Sequence, residues 1–101
     1  MANRLILHNK LKDILGSSNV YFQPPETIKM RYPAIVYSLA TIKKLPADDL
    51  GYLKYRAYML ILIDSNPDSE FVDKILDLPM CSFDRAYAGD NLNHWAFTIF
   101  H

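Results

Sequence analysis

Apolar residues recur along this chain at two different spacings, and the change from one to the other marks out its elements. Between positions 4 and 15 they fall at Leu7, Leu11, Ile14 and Leu15, which is one face of a helix. Asn3 suits the N-cap of that helix and Gly16 the position after its last turn. Asn19–Phe22 predicts a short strand, after which Pro24, Pro25 and Pro33 force an extended path. From 34 to 42 the period drops to two. Ile35, Tyr37 and Leu39 share one face, and Val36, Ser38 and Ala40 share the other. Residues 43–51, KKLPADDLG, predict a loop at the tip of a hairpin, because they carry Pro46, Gly51 and charges of both signs. A second strand, Tyr52–Asp64, follows. Asn66, Pro67, Asp68 and Glu70 then read as the start of a helix running to about Leu78, with Phe71, Val72, Ile75, Leu76 and Leu78 on its apolar side. Cys81–Tyr87 and Asn93–Phe100 complete the set as strands around the turn AGDN, where Gly89 is expected to supply a positive φ.

Strands separated by helices, with hairpins wherever strands are consecutive, predict an α+β fold. The expected form is a two-layer sandwich, a mainly antiparallel sheet of four to five strands with two helices in the order α-β-β-β-α-β-β. A length of 101 residues fits a single domain over 1–101.

The strand Tyr52–Asp64 is the hardest element to shelter. Leu53, Tyr55, Ala57, Met59, Ile61 and Ile63 share one parity, which is expected to meet the helices. The other parity begins with Lys54 and Arg56 but turns apolar at Tyr58, Leu60 and Leu62. A strand apolar on both faces needs cover on both, so Tyr58, Leu60 and Leu62 are expected to meet a neighbouring copy. Lys43, Lys44, Asp48, Asp49, Tyr52, Lys54 and Arg56 extend this candidate subunit or tube interface. Mixed charges on one projection suit register between identical subunits.

Charge supports that reading by subtraction. The 11 basic and 11 acidic residues cancel, without the basic excess of a dedicated DNA-binding module. Tyr37, Tyr52, Tyr55 and Tyr58, interleaved with Lys54 and Arg56, could stack nucleic-acid bases. They could equally form cross-strand pairs or anchor an interface. His8, His94 and His101 are not at ligand spacing; His8 is expected to be solvated on the polar side of its helix, and His94 to be a surface strand residue. Cys81 has no activating base nearby and is expected to be buried and inert. No catalytic residue, cofactor or metal is therefore expected. A single cysteine excludes an intrachain disulfide and fits synthesis in a reducing cytoplasm. The opening MANRLILHNKLKDIL is too broken for a signal peptide, and no run approaches the ~18–20 apolar residues of a membrane span.

In order, the chain offers an opening helix, NVYFQPPE, YPAIVYSL, a long charged hairpin into YRAYMLILID, then SNPDSEFVDKILDL and the aromatic HWAFTIF. In these features it resembles the small tail-terminator (tail-completion) proteins of long-tailed bacteriophages and phage-tail-like particles. The resemblance spans nearly the whole chain. It implies a structural virion protein, made in the host cytoplasm, that forms a ring of typically six copies on the last ring of the tail tube. Such a ring stops tube growth and presents a surface to the head connector. The implied partners are further copies of the chain, the tail tube protein and the connector or neck protein. DNA is met only as it passes through the lumen, no membrane is involved, and no cofactor or active site comes with the family. The alternatives are a head-closure or adaptor protein of the same virion, which the resemblance leaves open, and a small α+β ligand-binding domain.

Overall fold

The structure, a computed structural model, describes residues 4–25, 28–47 and 51–101. It is the α+β sandwich expected, with elements in the order α1 (Arg4–Leu15), β1 (Val20–Phe22), β2 (Ala34–Ala47), β3 (Gly51–Asp64), α2 (Phe71–Leu76), β4 (Cys81–Gly89) and β5 (Leu92–Phe100). The strands form one sheet in the order β1-β2-β3-β5-β4. Every pairing is antiparallel except β1 with β2. The helix α1 forms where the 3.6-residue stripe runs, burying Leu7, Leu11 and Leu15. It stops at Gly16, whose φ of 71° lets its amide reach the Lys12 carbonyl at 2.8 Å. Asn3, the expected cap, lies outside the described residues.

Both helices lie against one face of the sheet, and the core sits between them. Directly opposed residues share a face. Tyr37 opposes Leu60, and Leu60 opposes Phe97 on its other side. Ile35, Leu62, Tyr58 and Ile99 extend this layer, and Leu7, Leu11, Leu15 and Ile75 close it from the helices.

Two elements differ from expectation in length. The α2 helix has six residues, not the longer run from Asn66 to Leu78. Three side chains take the backbone amides that would have opened it. Asp64 Oδ1 accepts from Asn66, Asn66 Oδ1 from Asp68, and Ser69 Oγ from Phe71. Such local bonds offer the backbone turns in place of helix. The strands β2 and β3, by contrast, run on through most of 43–51, leaving residues 48–50 outside the described residues. The β4–β5 turn also differs: Asp90 and Asn91 carry the positive φ values, 54° and 63°, and Gly89 does not. Two consecutive left-handed residues give the turn whose twist matches a tight hairpin. Irregularities fall at Ala40 in β2 and at Asp84 in β4, where the pairing register shifts.

Candidate functional surface

The sheet has one sheltered face and one without helices, and β3 decides which residues lie on each. Tyr58, Leu60 and Leu62 are 4%, 0% and 0% exposed, beneath the chain's own helices. The expectation that they meet a neighbour is therefore wrong, and the faces of β3 are reversed. Their cross-strand partners explain the reversal. The large apolar residues of β2 and β5, Ile35, Tyr37, Phe97 and Ile99, all stand on the side shared with Tyr58 and Leu60. Burying that parity hides three strands of bulky side chains at once.

The parity left without helices is that of Tyr55, Ala57, Met59, Ile61 and Ile63. Met59 is 41% exposed and Ile61 half-buried. Register places Val36, Ala96, Thr98 and Phe100 on the same side. Between positions 34 and 41 of β2, 55 and 63 of β3 and 94 and 100 of β5, this face carries no Asp, Glu, Lys or Arg. An antiparallel sheet facing water on one side usually alternates to polar residues there; this one mixes Ser38, Thr41, His94 and Thr98 with Val36, Tyr55, Met59 and Ile61, and buries Ala34, Ala57, Ile63 and Ala96 within the single copy. At the β4 margin the face ends in a polar group. His94 stacks on Tyr87 with centroids 4.7 Å apart, Arg85 lies 5.2 Å from the Tyr87 ring centre, and Thr98 Oγ1 donates to Asp84 Oδ2 at 2.6 Å.

The second feature is an arm. The β5 partner strand ends with Phe100 opposite Ala57, and β1 pairs only with residues 35–37 of β2. Thr41–Ala47 and Gly51–Arg56 thus continue as a two-stranded ribbon, and the molecule is 52 Å long against 25 × 23 Å across. Lys43, Lys44 and Lys54 are exposed on it, Arg56 is half-buried and Ile42 is 51% exposed. At its base Lys43 Nζ sits 5.5 Å from the Phe100 ring centre, beside an open groove shared with Tyr55 and Met80. Asp48 and Asp49 lie outside the described residues, as does the side chain of Tyr52. Of the ten residues expected at an interface, the structure thus places Lys43, Lys44, Lys54 and Arg56 together on the arm and removes Tyr58, Leu60 and Leu62 to the core.

A scan against known protein families finds no match to this chain, and neither does a search of curated proteins. The molecule's own geometry is what bears on its role.

One polar cluster escaped the sequence reading. Arg4 donates to the Tyr37 hydroxyl at 3.2 Å, and that hydroxyl lies 2.7 Å from His8 Nδ1. The hydroxyl's proton is then available to Nδ1 only while the imidazole is neutral. Arg4 also stacks 4.2 Å from the Phe22 ring centre. Burial holds His8 below its ordinary value, and the Arg4 and Lys12 charges push the same way. His8 is thus tied to the core instead of solvated. A depressed histidine binds its proton more readily in the unfolded chain, so its contribution is complete above about pH 6.5 and fades as pH falls below that. The melting temperature is expected to drop from about pH 7.5 to about pH 5; replacing His8→Gln should flatten that slope in a thermal scan across pH, and an unchanged slope would refute the assignment.

Cys81 is half-buried and not bonded to another cysteine. Burial, with Asp84 nearby, pushes its thiol up to about 11, the wrong direction for a nucleophile. Among the described residues no group of three His, Cys, Asp or Glu side chains could hold a metal ion. Among the described residues no helix is long and apolar enough to cross a membrane.

Proposed function

We propose that this chain is a structural assembly subunit, a ring-forming terminator at the head-proximal end of a phage tail tube. Its partners would be further copies of itself, the tube protein and the neck. The observation that carries the reading is the sheet face without helices, uncharged over three adjacent strands and continuous with a projecting ribbon. Exposed Met59 with half-buried Val36 and Ile61 gives that face apolar surface for a partner to cover, and a ribbon of two strands is marginal in water without something to lie against. The resemblance in element order and phrases from NVYFQPPE to HWAFTIF points the same way. An enzymatic reading has less to support it, since neither Cys81 nor His8 is poised for catalysis.

Hiding about 500 Å² of apolar surface at each joint would contribute about 12 kcal/mol at ~25 cal/mol per Å². Ordering and lost mobility offset much of it. Such a contact closes on a tube template and is weak in free solution. The deciding experiment is electron microscopy of particles made without this protein. Over-long tails lacking heads are expected; tails of normal length, or tails that end correctly but fail only to join heads, would overturn the terminator role.

A further inference from the structure

Two polar contacts that hold α1 to the sheet come from residues four apart, and both end on the Tyr37 hydroxyl. Arg4 donates to it at 3.2 Å, and His8 Nδ1 lies 2.7 Å from it. Lys12 follows four residues further on, so Arg4, His8 and Lys12 form one row along the helix. A proton on His8 makes this a row of three like charges, a spacing at which they destabilise a helix. Among the described residues no carboxylate offsets it. The first turn of α1 holds no acidic residue, and Asp13 is exposed. β1 and β2 contain no acidic residue. On β3, Tyr58 packs its ring 6.0 Å from that of Tyr37, but Asp64 stands six residues beyond it. Asp73 of α2 is exposed, and the charges that act on His8 are those of Arg4 and Lys12.

The same half of the helix has little apolar anchorage. From Arg4 to His8 only Leu7 is buried, while Leu5 and Ile6 are 59% and 45% exposed. The other half buries Leu11 and Leu15, packs Ile14 against the core and ends in the bond from the Gly16 amide to Lys12. Leu7 also borders a cavity of about 80 Å³, shared with Leu78, Met80, Ile99 and His101. Close contacts are missing on that flank, so Leu7 gives up less by leaving. Tyr37 and Phe22 receive this half of the helix, and Arg4 stacks on the Phe22 ring. Leu39, next on the same face of β2, is already 40% exposed.

We propose that the front half of α1, Arg4–His8, is a proton-operated catch. When His8 takes up a proton, this half swings off the sheet while the rest of the helix and the strands stay in place. Apolar surface around Phe22, Tyr37 and Leu39 is then uncovered. In the closed form, burial and the charges of Arg4 and Lys12 disfavour the imidazolium; in the open form water solvates it. Opening therefore gains ground as pH falls below about 6.5. An opening of this size lies below whole-chain unfolding in free energy, so the catch works within the folded protein and needs no partner.

Hydrogen exchange of the full chain tests this. In a helix the amides of His8, Asn9 and Lys10 bond back to the carbonyls of Arg4, Leu5 and Ile6, and the amide of Leu60 reports the sheet. With intrinsic rates corrected, the three helix amides should exchange through an opening nearly insensitive to denaturant, and Leu60 only through whole-chain unfolding. From pH 7.5 to pH 5.5 the helix opening should grow about threefold to tenfold. His8→Gln should abolish that growth. Lys12→Glu should reduce it, because a carboxylate four residues from His8 offsets the Arg4 charge. Exchange of the three amides only together with Leu60 would overturn the proposal, and so would growth that persists in His8→Gln. Leu60 protection reports whether each variant folds. If His8→Gln does not, undiminished growth in Lys12→Glu overturns the proposal by itself.

Discussion

Leu60→Asp should prevent folding, while Met59→Asp, one residue earlier on the same strand, should leave the melting temperature nearly unchanged. Leu60 is fully buried between Tyr37 and Phe97. A carboxylate there would lie unpaired among apolar groups, and burying an uncompensated charge costs several kcal/mol even after relaxation. The milder Leu60→Ala should cost about 2–5 kcal/mol, a large part of the margin of a small domain. Met59 points to the helix-free face and is 41% exposed, so a carboxylate there stays in water. Its cost should appear in assembly, as lost association or lost tube capping. Circular dichroism melts of the two variants decide the matter. Equal destabilisation would mean that both faces of β3 are sheltered within one copy.

Tyr37 should show the next largest effect, and two substitutions separate its two roles. Its ring is 1% exposed and lies 4.9 Å from that of Phe22 and 6.0 Å from that of Tyr58. Tyr37→Ala removes that packing and should cost about 3–5 kcal/mol. Tyr37→Phe keeps the ring but deprives Arg4 of an acceptor and His8 of its hydroxyl partner, and should cost about 1–3 kcal/mol. Chemical denaturation of both variants measures the split. In the Phe variant the pH dependence due to His8 should persist, because the burial and the Arg4 and Lys12 charges that depress it remain. A Phe variant as stable as the parent would mean that the cluster contributes packing alone.

The order of elements was legible because each long element keeps one period over many residues. The faces of β3 were not, and the reason is specific. Tyr58, Leu60 and Leu62 are as apolar as Met59, Ile61 and Ile63, so β3 taken alone offers no choice of parity. The choice is made on β2 and β5, where Tyr37 and Phe97 flank Leu60. The spacing of Trp95, Phe97 and Ile99 held that information, but only once the register was known. The shortness of α2 reflects Asn66, which can cap a helix or close a turn and here closes the turn. The Arg4–His8–Tyr37 cluster joins positions 29 and 33 apart in the chain, a separation that local pattern does not reach. The long charged hairpin was visible, whereas the pairing of its outer part was not, because Pro46 and Lys44 read as loop residues and yet sit in a paired ribbon.

The irregularity at Asp84 has a consequence for how copies of this chain avoid one another. The outer margin of β4 is nine residues long and exposed for nearly all of its length, the profile on which a foreign strand could crystallise into a fibril. The displaced residue breaks the row of free amides and carbonyls halfway along, and its carboxylate is fastened to Thr98 at that spot. A stranger laid against this margin would fall out of step within a few residues. This margin is therefore a poor template for sheet-to-sheet growth between crowded chains.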